Sequence, residues 1–221
     1  MARLSWTLIL TAGGLAFASS AQAQSAGTAY AAGYAAPYNA PNSITLAPIR
    51  VSASVGGRCG FAAGDAPNGS VNAPELDTVG FDTTFPFKLD CTGAFRVGVV
   101  SLNGGLLTGG AVPAGYGNKA PYDVQLTLQS DLGATATSAC QAAQLSAVNN
   151  AATCTAQYLT GGTNFSGAAS TTRGLRVNGA ATLAAATIQT IRVKASAYAG
   201  PDILTAGNYS DTLTVTVSTA P

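Results

Sequence analysis

The chain has 221 residues, 47% apolar and only 9% charged, with Lys and Arg numbering 10 against 9 Asp and Glu. So even a balance excludes disorder driven by net charge and leaves no basic cluster able to coat a nucleic-acid backbone. There is no histidine, so the commonest general base and the commonest metal ligand are both missing.

The first segment reads as an address. Arg3 supplies a positive start, Leu8 to Phe17 is an apolar run too short to span a bilayer, and Ala21-Gln22-Ala23 is an A-x-A cleavage site. Residues 1–23 are expected to be a signal peptide, with no membrane insertion after cleavage. Export sets an oxidising context for Cys59, Cys91, Cys140 and Cys154. Several pairings are open. Cys59–Cys91 and Cys140–Cys154 are favoured because each is local to one structural unit. The second would close a short loop worth about 3 kcal/mol in the chain-entropy model.

Residues 24–48 form a low-complexity extension with Tyr30, Tyr34 and Tyr38 at four-residue intervals. Gly33 and Pro37 argue against a helix there. Residues 49–221 carry the strand patterns. Ile49, Val51, Ala53 and Val55 alternate with polar residues toward Cys59. Phe81, Phe85, Phe87, Leu89 and Cys91 share one parity, despite Pro86. Phe95 to Leu102 is a third strand, closed by the turn signal Asn103-Gly104-Gly105. Tyr122, Val124, Leu126 and Leu128 alternate with polar partners, Ile188 to Tyr198 holds another strand, and Leu213, Val215 and Val217 alternate with threonines after a turn at Thr205–Asn208. Short strands with Gly/Asn turns spell an all-β antiparallel sandwich. The Ala- and Ser-rich stretch from Asp131 to Thr155 reads as a stapled insertion between strands, with a helical turn or two near Ala139 to Val148.

Catalytic chemistry finds little purchase. Ser/His and Cys/His pairs are impossible, and no G-x-x-x-x-G-K-[ST] is present. Glu75 and Asp77, the closest acids, fit a solvated turn. Asp65 to Gly69 lacks the bidentate Glu of a calcium loop. The expectation is a protein that is not an enzyme and uses no cofactor or metal. Tyr116 and Tyr122 flanking Lys119 give only a thin candidate ligand cluster.

The run Ala206-Gly207-Asn208-Tyr209-Ser210-Asp211-Thr212-Leu213-Thr214-Val215-Thr216-Val217 resembles the closing signature of spore coat protein U domains, G-x-Y-x-D-T-[LV]-x-V-x-[VL]. Its matching positions include Gly207, Tyr209, Asp211 and Thr212. Val51 to Cys59 is similar to that family's first strand, and Leu89-Asp90-Cys91-Thr92-Gly93 to its second cysteine strand. The family includes subunits of archaic (Csu-type) chaperone–usher pili. The resemblance implies an immunoglobulin-like sandwich lacking its last strand, completed by a donor strand from the next subunit. It implies a structural role in a secreted pilus or coat fibre serving surface adhesion, biofilm or coat formation. It implies three kinds of partner: a periplasmic chaperone, an outer-membrane usher, and identical or related subunits. No nucleic acid is expected. The route would run through the periplasm to the cell surface. Ile44 and Leu46, continuing to Ile49, make the preferred donor segment, since apolar and polar residues alternate there ahead of Pro48. The alternative is a stand-alone secreted β-sandwich that binds a ligand or carbohydrate.

Overall fold

The computed structural model describes residues 57–220. The leader, the extension and the donor candidates Ile44, Leu46 and Ile49 lie outside the described residues. In chain order the strands are β1 (Cys59–Phe61), β2 (Gly80–Cys91), β3 (Phe95–Ser101), β4 (Leu106–Leu107), β5 (Tyr116–Gly117), β6 (Lys119–Ala120), β7 (Asp123–Gln129) and β8 (Thr135–Gln141). A one-turn helix α1 (Ala142–Leu145) follows, then β9 (Leu175–Val177), β10 (Ile188–Ser196), β11 (Ile203–Leu204) and β12 (Leu213–Thr219).

One sheet has the order β1-β2-β10-β7-β8 and the other β12-β3-β9, with antiparallel pairing throughout both. Two small ladders, β4 with β6 and parallel β11 with β5, join the loops. The alternation in the sequence explains the layering, because successive side chains of a strand point to opposite faces. Phe87 and Leu89, Val124, Leu126 and Leu128, and Ile191 and Val193 come from the first sheet. Phe95, Val97, Val99, Leu175 and Val177 come from the second. All of them belong to one buried core. Pro86 is accommodated in β2 with its side chain exposed, opposite Thr190 of β10.

Cys59 stands opposite Cys91 in the β1–β2 ladder and is bonded to it. Cys140 of β8 is bonded to Cys154. Two disulfides belong to an oxidising environment. Among the described residues no helix is long and apolar enough to cross a membrane.

The stretch from Asp131 to Thr155 departs from the expectation of an insertion. Its first part is β8, paired along its whole length with β7 from Asp123↔Gln141 to Gln129↔Thr135. The buried side chains here are Ser138, Ala139 and Cys140, so small residues replace the large apolar ones that mark a strand in sequence. Only Ala142–Leu145 is helical. The loop after α1 folds back onto the chain: Asp123, fully buried, accepts the backbone N–H groups of Gln157 (3.0 Å), Tyr158 and Leu159 (2.9 Å).

Candidate functional site

The closing motif builds the corner that launches β12. The Tyr209 hydroxyl donates to the Thr205 carbonyl four residues upstream at 2.8 Å. At Gly207 an added Cβ would lie 2.6 Å from Thr108 Oγ1, so any larger residue must displace that side chain. Asp211 then collects donors from three segments. Ser101 Oγ donates to it at 2.6 Å, Tyr122 OH at 2.7 Å, the Asn103 N–H at 2.9 Å and the Thr212 N–H at 2.7 Å. Burial by itself raises the Asp211 carboxyl. The bonds from Ser101, Tyr122, Asn103 and Thr212 together outweigh it and hold the group below its ordinary value. Burial, and then the bond to Asp211, pushes the Tyr122 hydroxyl well above its ordinary range. The sequence flags Asp211 and Thr212 but gives no hint that Ser101 and Asn103 close the network.

Beyond this corner β12 runs along the edge of its sheet. Val215 lies opposite Val99 and Val217 opposite Val97. The Thr212 carbonyl accepts from Leu102 N–H at 2.9 Å and Ala220 N–H donates to the Ala94 carbonyl at 2.8 Å. Antiparallel ladders alternate, so the even-numbered residues spend their peptide groups on β3. The peptide N–H and C=O groups of Leu213, Val215 and Val217 point the other way. Among the described residues no strand pairs with that outer edge. The side chains of the same three residues are half-buried against the core.

Beside this edge lies a cleft of about 960 Å³. Its apolar floor comes from Phe81 and Phe85 of β2, Ile191 and Val193 of β10, and Leu213 and Val215 of β12. Tyr122 lies beneath, its ring 6.2 Å from that of Phe81 and tilted to it. The segment from Pro67 to Asp77, with buried Leu76, makes one rim, and Thr205 to Asp211 makes the other. The two sheets therefore diverge here: the β2–β10 face turns apolar side chains toward the position beyond β12 without a strand of the described residues covering them. The arrangement offers a line of backbone donors and acceptors on one side and apolar pockets beneath. That is what an extended peptide needs for β-strand addition.

The sequence brings the apolar residues of β2, β10 and β12 into view as core strands, but nothing in it shows that they stop short of one another. Glu75 and Asp77 both lie exposed in a turn, with Leu76 buried between them. Tyr116 and Tyr122 do not gather around Lys119: Tyr122 is buried on Asp211, whereas Tyr116 is exposed. Set against protein-family models, curated proteins and solved structures, the chain matches none of them.

Proposed function

We propose that this chain is a structural subunit of an exported pilus or coat fibre of the spore coat U type, joined to its neighbours by donor-strand complementation. The observation that carries the reading is the outer edge of β12, which no strand among the described residues covers, beside an apolar cleft of about 960 Å³. The corner at Tyr209 and the two sheets over one core support an immunoglobulin-like sandwich whose last strand comes from another molecule. An edge left open in this way invites uncontrolled pairing, which is why a periplasmic chaperone and an usher belong to the reading. The occupant is the extension of a second copy, with Ile44 and Leu46, extended by Ile49, filling alternate pockets. Fifty-six residues precede the first described one, more than enough to supply a strand. Head-to-tail contacts of this kind do not close and so give a fibre.

The test is deletion of residues 24–47 behind the leader. The truncated subunit should fold and bind a chaperone, but form no detergent-resistant polymer. A peptide spanning Asn42 to Val51 should raise its melting temperature. Polymers unchanged by the deletion, or a full-length monomer indifferent to the peptide, overturn the proposal. The cleft then belongs to a self-contained domain that takes a ligand.

A further inference from the structure

On the edge of the small sheet away from the cleft, Arg96 of β3 stands directly opposite Arg176 of β9. Like charges placed opposite each other across a ladder repel, and among the described residues no acid pairs with either arginine. The ion pairs among the described residues are Lys88–Asp65 and the pairs of Arg192 and Lys194 with Asp82. No Asp or Glu precedes Gly57 in the sequence, so the earlier residues hold no side-chain carboxylate to supply one. A third cation, Arg173, lines a cleft together with Arg96 and lies over Gly167, where an added Cβ would come within 3.1 Å of the arginine's Cδ.

These arginines are positioned. Arg96 Nε donates to the Thr171 carbonyl at 3.1 Å and Nη1 to the Gly174 carbonyl at 2.9 Å. A guanidinium has further N–H donors, and those of Arg96 find no partner among the described residues. The turn carrying Arg173 is closed by the Ser170 hydroxyl, which accepts the Arg173 N–H at 3.0 Å. Between Arg96 and Arg173 opens a cleft of about 330 Å³ whose other walls include Asn149, Asn150, Thr163 and Thr172. Two guanidinium groups lie in a concave wall of amides and hydroxyls, with a third beside it.

We propose that this cleft binds an acidic polysaccharide, its carboxylate or sulfate groups taken by Arg96, Arg173 and Arg176 and its hydroxyls by the asparagine and threonine walls. Guanidinium forks match carboxylate and sulfate oxygens two at a time. Three cations on a near-neutral chain suit a polymer of one carboxylate per sugar better than the one charge per about 1.7 Å of duplex DNA. A concave, amide-walled site suits a sugar chain better than the flat face of a lipid bilayer. This site is separate from the β12 cleft and does not rest on the fibre reading.

The test measures binding of the full secreted chain to polygalacturonate, with neutral dextran, phosphatidylglycerol vesicles and oligothymidylate alongside. The chain should bind polygalacturonate, lose it as salt rises, and ignore dextran. Arg173→Gln with Arg176→Gln should weaken binding about 100-fold, on the order of tenfold for each charged hydrogen-bonding group. Melting temperature should stay unchanged. Lys119→Gln, which removes an exposed cation elsewhere, should bind as the parent does. Arg173→Glu alone should abolish binding and serves if the double variant folds poorly. Absent binding, equal binding by the double variant, or an equal loss in Lys119→Gln overturns the proposal. Binding to vesicles or oligothymidylate as tight as to polygalacturonate also overturns it and reassigns the cleft to a lipid surface or a nucleic acid.

Discussion

The Tyr122 hydroxyl donates to an Asp211 carboxylate oxygen across 2.7 Å, tying the residue before β7 in one sheet to the approach to β12 in the other. Both residues line the large cleft. The bond therefore fixes the end of the groove as well as the seam between the sheets.

Asp211→Asn should destabilise the domain by about 1–3 kcal/mol, because the donors of Ser101, Tyr122 and Asn103 then face an amide in place of a carboxylate. The pH dependence follows from the lowered carboxyl of Asp211. A carboxyl held low in the folded state adds stability above its unfolded pKa of about 3.9, and loses it as pH falls through the folded value. Melting temperatures measured below neutrality should drop most steeply under about pH 4 in the parent. They should drop less in Asp211→Asn. Equal slopes would show that the network does not carry the acid limb.

Asp123 is wholly buried and holds the loop at Gln157 to Leu159 by three backbone N–H groups. Asp123→Ala strands those donors away from any partner. A cost of about 3 kcal/mol or more is expected, since each stranded buried donor costs about 1–3 kcal/mol. Hydrogen exchange should report it first, as loss of protection at Gln157, Tyr158 and Leu159. Protection that survives the change would place the loop's anchor elsewhere.

The two disulfides differ in reach. Cys59 and Cys91 are 32 residues apart in sequence, Cys140 and Cys154 only 14. The chain-entropy model gives about 4 and about 3 kcal/mol for them. Replacing Cys59 and Cys91 together by Ala should therefore cost more in chemical denaturation than replacing Cys140 and Cys154. Non-reducing peptide mapping should recover these two pairs. A Cys59–Cys140 peptide would refute the connectivity.

Val215 faces the cleft and Thr214 faces solvent. Val215→Asp places a charge against the apolar floor and should abolish secreted, assembled protein. Thr214→Asp should accumulate normally. The reverse outcome would mean that β12 sits one residue out of register.

Strong contrast made β2, β3, β7, β10 and β12 legible in the sequence. Their apolar residues are large and alternate with charged or hydroxylated ones, or run unbroken where both faces are covered. β8 offered no such contrast, since Thr135 to Gln141 carries nothing larger than Cys at its buried positions. β9 is three residues long, too short for any period to show. The closing motif gave Asp211 by its spacing, but Ser101 meets it from 110 residues away. The arginine cleft was equally hidden. Arg96 and Arg173 are far apart in sequence, and only the fold of the loop over Gly98 brings them together. A Cβ at Gly98 would lie 2.4 Å from the Gly167 carbonyl, so the loop's path needs glycine on the strand beneath it.

On β12 the residues whose peptide groups face outward are also those whose side chains face inward. Leu213, Val215 and Val217 thus set a ruler graduated every second residue, about 6.6 Å. A partner strand displaced by one residue would turn its apolar side chains to solvent and its polar ones to Phe85 and Ile191. A slip of two restores the match. Any misalignment of a strand added to this edge would therefore be quantised in steps of two residues.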